Sequence, residues 1–354
     1  MTYTRTFIVE NVNMEAKTTY KRGMYMRKLR VIGFIGILLS MVLVLVACSG
    51  EAKNIAIGPA GSATNTVSKL ILDAYGIEDY NAYEEGFGDA ADGVQDGNID
   101  ISIGILGLPA ASISNLQASA GDVKMLSLSK DAIAHIEKNS AYREFVIPKE
   151  SYDFLEEDIT TVTAYAILMG NTDTISEELG YELAKVMIEN ASEISHAQGA
   201  QMTLDNALNG LEDLPIHPGA AKYYQEQGLE FDNPIAELNV SEQPSELVLG
   251  TGSSGGTYYP LGGEMATVWN NNIDGINVTN RETSASLENL AAMRDGNMDL
   301  GMTVHGPAID AVNGEGDFDA PIENVAFIGH IYPEIIQIVT REATGIESFD
   351  DLAK

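Results

Sequence analysis

The sequence predicts an α/β protein of two lobes, each carrying a parallel sheet. Size is the first observation: beyond a basic and apolar leader about 306 residues remain, more than a single small core organises. An internal echo is the second. Asn54-Ile-Ala-Ile-Gly58 reads as a strand, followed by the loop Pro59-Ala-Gly61-Ser62-Ala-Thr64-Asn65 and the helical pattern TVSKLILDAYG. Asp96-Gly-Asn-Ile-Asp100 then turns into the apolar ISIGILG. The same order returns in Glu246-Leu-Val-Leu-Gly250, the loop Thr251 to Pro260 (TGSSGGTYYP) and the helical LGGEMATVW. Asp295-Gly-Asn-Met-Asp299 then leads into LGMTV. Strand, Gly/Ser loop, helix and a DGNID or DGNMD turn into another strand is the signature of a parallel sheet, once per lobe.

The leader holds Arg5, Lys17, Lys21, Arg22, Arg27, Lys28 and Arg30, then the apolar run Val31 to Val46 and Leu45-Val46-Ala47-Cys48. A basic region, an apolar stretch and a small residue before the cut describe an export signal over residues 1 to 47. Cys48 is the only cysteine, so an internal disulfide is excluded. LVAC resembles a lipobox, which implies that the Cys48 thiol is acylated and becomes the new N-terminus. An uncleaved anchor is the rival reading, because the run approaches the roughly 17 residues that span a bilayer. The expected location is the extracytoplasmic face of the cell envelope, on a lipid anchor.

The formal net charge is −32. Seven Lys or Arg and two Glu belong to the leader, so the rest carries 13 basic against 50 acidic residues, a net of −37. Such a surface repels nucleic acid and anionic lipid. It does not mean disorder, because 45% of the residues are hydrophobic and regularly patterned. An anionic ligand must then be held by local dipoles and hydroxyls against the global field.

The Gly/Ser loops carry the chemistry, and three readings compete for the second one. Gly250-Thr-Gly252-Ser-Ser-Gly255 fits the dinucleotide fingerprint GxGxxG. That reading needs an acidic residue about twenty positions on at a strand end, and Asp274 sits in an Asn-rich turn. Gly252-Ser-Ser254-Gly-Gly256 fits the serine-hydrolase elbow GxSxG. It needs a histidine after Ser254, and the candidates His305 and His330 lie in no recognisable triad loop. The third reading involves no catalysis. A strand ending in a Gly/Ser loop opens onto a helix N-terminus, where free N–H groups and the dipole favour a carboxylate. Two such loops facing each other make a clamp for a small anion. Neither a metal nor a cofactor is expected: no Cys/His cluster is present, and Glu156-Glu157-Asp158 and Glu315-Gly-Asp317 lack calcium-loop spacing.

Gly250 to Gly262 (GTGSSGGTYYPLG) resembles the opening motif of the TAXI-type solute receptors of TRAP transporters. The resemblance continues through Glu282 to Leu290 (ETSASLENL), Ile331-Tyr-Pro-Glu334, Gly58 to Asn65 (GPAGSATN), Gly104 to Pro109, Ile147-Pro148 and Pro215 to Tyr224. It implies a two-lobed, type II-like periplasmic-binding-protein fold with a central cleft and hinge strands. It further implies no catalysis, a small carboxylate such as glutamate or 2-oxoglutarate, a monomer, and a TRAP transporter membrane subunit as partner. On the matched positions it implies that Ser253, Gly256, Thr257 and Tyr258 present the first loop. Thr283 and Ser286 add hydroxyls from a second loop, and Tyr332 a ring or phenol. Ser62, Thr64 and Asn65 face them from the other lobe, with Gly107 and Pro109 shaping the wall. Arg281 is the one cation beside a candidate loop, either a ligand contact or an exposed side chain.

The motif order departs from that family. Its members begin at GTGSSGG and reach GPAGSATN in mid-chain, after an SFDDLxGK-type crossover. Here GPAGSATN comes first, the GTGSSGG half second, and Ser348 to Lys354 (SFDDLAK) last. Ala353-Lys354 even repeats Ala52-Lys53. This order is that of a circular permutant joined by residues 230 to 244 (EFDNPIAELNVSEQP); two fused receptor fragments are the alternative. The expected lobes are residues 51–158 with 345–354, and residues 159–229 with 245–344. Thr160 to Met169 and Asn324 to Thr340 are the expected hinge-crossing strands.

Overall fold

The computed structural model describes residues 52 to 352. The expected export signal, Cys48, Ala353 and Lys354 lie outside the described residues.

The chain opens with β1 (Lys53–Ala56), α1 (Ala63–Ala74), β2 (Tyr80–Tyr83), α2 (Phe87–Asp96) and β3 (Ile101–Leu106). It continues through α3 (Ala111–Ala120), β4 (Val123–Met125), α4 (Lys130–Asn139), β5 (Arg143–Ile147) and the long β6 (Ile159–Asn171). Next come α5 (Glu177–Glu189) and α6 (Pro218–Glu226), then β7 (Glu246–Gly250), α7 (Tyr258–Asn272) and β8 (Asn277–Arg281). The path ends with α8 (Ser286–Arg294), β9 (Leu300–Val304), α9 (His305–Asn313) and β10 (Val325–Arg341). Serines set several helix starts: the Ser62, Ser129 and Ser176 hydroxyls accept the Asn65, Ala132 and Leu179 amides of α1, α4 and α5. Each cap occupies one of the four N–H groups that a helix start leaves unpaired.

The sequence echo has a structural counterpart. In each half the glycine of the DGN turn is left-handed, at φ 75° for Gly97 and 71° for Gly296, a conformation that costs glycine little. The aspartate closing each turn then ties back to the first strand. Asp100 Oδ2 accepts the Asn54 amide at 2.8 Å, and Asp299 Oδ2 accepts the Val248 amide at 2.8 Å. The return bonds also match, from the Asp100 amide to Asn54 O and from the Asp299 amide to Val248 O.

Both halves share one sheet, in the order β2-β1-β3-β10-β6-β9-β7-β8. β1 is parallel to β2 and β3, and β7 is parallel to β8 and β9. β10 and β6 run antiparallel through the middle, paired from Val325↔Asn171 to Ile335↔Thr163. Each serves two cores. Val162 and Ala164 of β6 pack with Ile55, Ile101 and Ile336, while Ala166 to Met169 pack with Leu249, Trp269 and Phe327. On β10, Phe327, Ile328 and Ile331 belong to the core around Trp269, and Ile336 and Ile338 to the core around Ile55. The fold is therefore two-lobed, with a central cleft and two strands that cross between the lobes as hinges.

Close packing explains the His-Pro-Gly segment. His217 caps α6 at the Gly219 amide, and its Nε2 lies 3.0 Å from Ile175 O. A Cβ on Gly219 would sit 2.1 Å from Glu177 O, so α5 and α6 touch backbone to backbone there. Residues 230 to 244 are not the free coil that their composition suggests. Backbone bonds join Pro234 O and the Ala236 amide to Ile216, and the Asn239 amide to Thr172 O, so the segment lies pinned along the lobe of α5 and α6. After β10 the chain re-enters the lobe of β1, where Phe349 is buried and stacks on Tyr75 at 4.7 Å. No helix among the described residues is long and apolar enough to cross a membrane.

Candidate functional site

Between the lobes lies a cleft with about 620 Å³ of empty space, its open mouth included. Gly58, Pro59, Ser62, Ala63 and Thr64 line it from one lobe; Gly252, Ser253, Gly256, Thr257 and Tyr258 line it from the other. Ser284, Ala285 and Ser286 close a third side, Phe87, Ile103, Leu106 and Val304 form apolar wall, and Tyr332 and Glu334 of β10 lie beneath. The starts of α1, α7 and α8 thus converge on one space. Each brings first-turn N–H groups without intrahelical acceptors and the positive end of a dipole. Ser62 caps Asn65 in α1, so the Ala63 and Thr64 amides remain as donors there.

The lobes touch across this space. The Gly107 amide donates to Thr257 Oγ1 at 3.0 Å, the Glu288 amide to Gly61 O at 3.3 Å, and Gln198 Nε2 to Leu108 O at 3.0 Å. Two pairs of glycine-bearing backbone abut at the mouth. A Cβ on Gly255 would lie 2.4 Å from Gly88 Cα, and one on Gly86 would lie 2.8 Å from Ser253 Cβ.

Ser62, Thr64, Ser253, Gly256, Thr257, Tyr258, Ser286 and Tyr332 all line the cleft. Their hydroxyls differ in what they can offer. Thr64 and Ser253 spend none on the protein, Ser62 is consumed by its cap and Pro59 O, and Ser286 accepts the Val304 amide. Asn65, Thr283 and Gly107, also expected at the site, do not line this space. Asn65 Nδ2 is held by Gly58 O and Glu84, and the Gly107 amide by Thr257. Thr283 Oγ1 lies 2.8 Å from Asn289 Oδ1 and accepts the Ala285 amide at 3.0 Å. That bond holds Ala285 at φ 70°, ψ −146°, a backbone that costs a non-glycine residue about 1–3 kcal/mol and often marks a working loop. Pro109 also stands outside the lining, as does Arg281, which is exposed with its guanidinium 3.5 Å from Asn297 O.

Sequence reasoning missed Glu334. It is 2% exposed, its Oε1 accepts the Tyr332 hydroxyl at 2.8 Å, and its Oε2 makes no hydrogen bond. The Tyr258 hydroxyl makes no hydrogen bond of normal geometry, but it lies close enough to Glu334 to act as a weak donor to its carboxylate. Burial pushes the Glu334 carboxyl up to about 7, with the Tyr332 and Tyr258 hydroxyls pulling the other way. One carboxylate amid the apolar strand run VAFIGHIYPEIIQIV was the available signal. No histidine lines the cleft, and Ser254 is exposed outside it.

A family model described as NMT1-like matches residues 12–228 and 249–354. The chain belongs to the NMT1-like family. That family is of solute-binding type. Among solved structures, this NMT1-like chain is similar to the substrate binding protein of an amino acid ABC transporter (7% identity, 82% of this chain and 86% of the other, TM-score 0.37). It is also similar to the Bordetella pertussis BvgS periplasmic VFT2 domain (8%, 83% and 82%, 0.34). A third is an ancestral arginine-binding protein bound to arginine (11%, 84% and 87%, 0.33). Likenesses this remote assign neither ligand nor partner to the chain.

Proposed function

We propose that this chain is a lipid-anchored, extracytoplasmic solute receptor of the TAXI type. It takes a small carboxylate of the glutamate or 2-oxoglutarate kind between its lobes and delivers it to the membrane subunit of a TRAP transporter. One observation carries the reading: three helix N-termini from two lobes converge on a single cleft. A carboxylate there would take N–H and hydroxyl donors without needing a cationic side chain. The absence of a histidine from the cleft lining and the exposure of Ser254 weigh against the hydrolase reading.

Protein extracted from membranes tests both anchor and ligand. Its mass should begin at Cys48 and include acyl chains, whereas an intact polypeptide from Met1 would favour the uncleaved anchor. The same sample should be melted with small carboxylates and amino acids. A ligand at a hundredfold excess over its Kd stabilises by about 2.7 kcal/mol, raising Tm by roughly 4 °C. A serine-dependent turnover lost in Ser254→Ala would sink the receptor reading.

The proposal extends to chain order, with one permuted receptor rather than two fused fragments. Three observations support it: the shared sheet, the return of Phe349 to the lobe of β1, and a family match interrupted at residues 229 to 248. Moving residues 245–354 ahead of 51–229 should give a protein with the same ligand and a Tm within a few degrees. Failure of that rearranged chain to fold would count against permutation.

A further inference from the structure

Among the described residues no lysine or arginine lines the cleft, but two carboxylates do: Glu85 at the exposed rim and Glu334 beneath, 2% exposed. Glu334 stands on β10 opposite Ala164 of β6, in a stretch otherwise apolar on both sides. Its Oε1 is satisfied by Tyr332, while Oε2 has no hydrogen bond of normal geometry and only the nearby Tyr258 hydroxyl to pull on the carboxyl. Buried polar atoms ordinarily find partners, and leaving them without one is costly. The tyrosine hydroxyls are neutral donors; what the buried carboxyl lacks is a cationic one. A 2-oxo group only accepts hydrogen bonds. An ammonium carries three donors and a positive charge, and no side chain in the cleft lining supplies that charge.

We propose that Glu334, with the Tyr258 and Tyr332 hydroxyls, forms a subsite for a protonated amine, so that the solute carries an ammonium beside its carboxylate. This rests on the reading of the cleft as an anion clamp. The carboxylate would sit over the N-termini of α1, α7 and α8, and the ammonium against Glu334, giving the zwitterion opposite ends of one pocket. The clamp alone fits an amino acid and its oxo acid equally; Glu334 is what separates them.

The subsite has a proton linkage of definite sign. The titratable groups around Glu334 are Tyr332 on its own strand, Tyr258 on α7, Tyr142 just before β5, and Glu85 at the rim. With no cation among them, the empty pocket leaves Glu334 titrating about 7. If only the ionised form receives the ammonium, its share rises from about a tenth at pH 6 to about nine-tenths at pH 8. Affinity should then increase about tenfold over that interval. A carboxylic acid donating to an oxo group would give the opposite slope.

The experiment titrates the purified protein with the standard L-amino acids and with the 2-oxo acids of the same carbon skeletons, at pH 6 and pH 8. The expected result is that the best amino acid binds at least tenfold tighter than its oxo partner at pH 8. That affinity should rise with pH, and Glu334→Gln should abolish both the preference and the rise. Tyr258→Phe should weaken the amino acid and keep the pH slope. If oxo acids bind as well as amino acids, or Glu334→Gln weakens both alike, the clamp stands and the amine subsite falls. If neither class binds, the clamp reading itself fails and the subsite with it. Should Glu334→Gln not fold, the amino-acid preference and the pH slope of the wild type decide the matter.

Discussion

Gly255→Ala is expected to weaken ligand binding by about tenfold to a hundredfold while leaving the unfolding midpoint of the empty protein nearly unchanged. The added Cβ would lie 2.4 Å from Gly88 Cα and 2.5 Å from Gly88 N. Both are backbone atoms, so no rotamer change relieves the overlap. Gly255 stands in the loop before α7 and Gly88 in α2 of the other lobe, so only opening the lobes separates them. Overpacking of this kind typically costs about 1–3 kcal/mol, and about 1.4 kcal/mol is tenfold in affinity. The penalty falls on the closed form alone, because in an open form the contact does not exist. Calorimetric titration with the best ligand of the screen, beside a urea melt without ligand, reads both quantities. Unchanged affinity would mean that the ligand does not require these loops to meet. An equal loss of stability in the empty protein would mean that the closed form is its resting state.

Acid should destabilise the protein through two buried histidines. His305 and His330 flank Tyr165, each ring 5.5 Å from it. His305 Nδ1 accepts the Tyr165 amide at 3.2 Å, whereas neither nitrogen of His330 makes a hydrogen bond of normal geometry. Burial holds both near 4, well below the ordinary 6.5, with backbone contacts pulling weakly upward. The folded state therefore binds fewer protons than the unfolded chain between those values. The stability is complete above about pH 6.5 and is lost as pH falls through 4, by about 3 kcal/mol for each ring. Glu334 acts in the opposite sense: its raised value favours the fold below about pH 4.5, and that contribution fades as pH rises through 7. His330→Phe isolates the first effect, since the phenyl ring fills the same space and has nothing to protonate. Its urea-unfolding free energy should drop about 3 kcal/mol less than that of the wild type between pH 7 and pH 4. Parallel losses in the two proteins would show that His330 does not carry the acid sensitivity.

The Gly/Ser loops were legible because their chemistry is local. A glycine-rich turn between a strand and a helix has one common geometry, and the repeated DGN turns tied the two halves to one plan. The eight loop and strand residues that do line the cleft came from the family resemblance carried by those motifs. Asn65, Thr283 and Gly107 came from it too but do not line the cleft, for a shared reason. A polar group next to a site can face the ligand or brace the loop, and composition does not distinguish the two. In each case here, a neighbour fixed by tertiary packing takes the group. Thr283 braces the strained Ala285, and the Gly107 amide meets Thr257 across the cleft.

By itself the sequence determined the α/β class, the two-fold plan, the crossing strands near Thr160 and Asn324, and the loops at the helix starts. All of these depend on neighbours along the chain, on periodicity, turns and caps. Only the tertiary structure decided which hydroxyls remain free, that Gly88 and Gly255 meet, and that Glu334 lies buried beneath the cleft with one oxygen lacking a hydrogen bond of normal geometry. Those facts depend on partners far apart in the sequence. In Glu334 a buried charge looks in one dimension like an interruption of an apolar strand, and its environment appears only when β10, α7 and the opposite lobe are brought together.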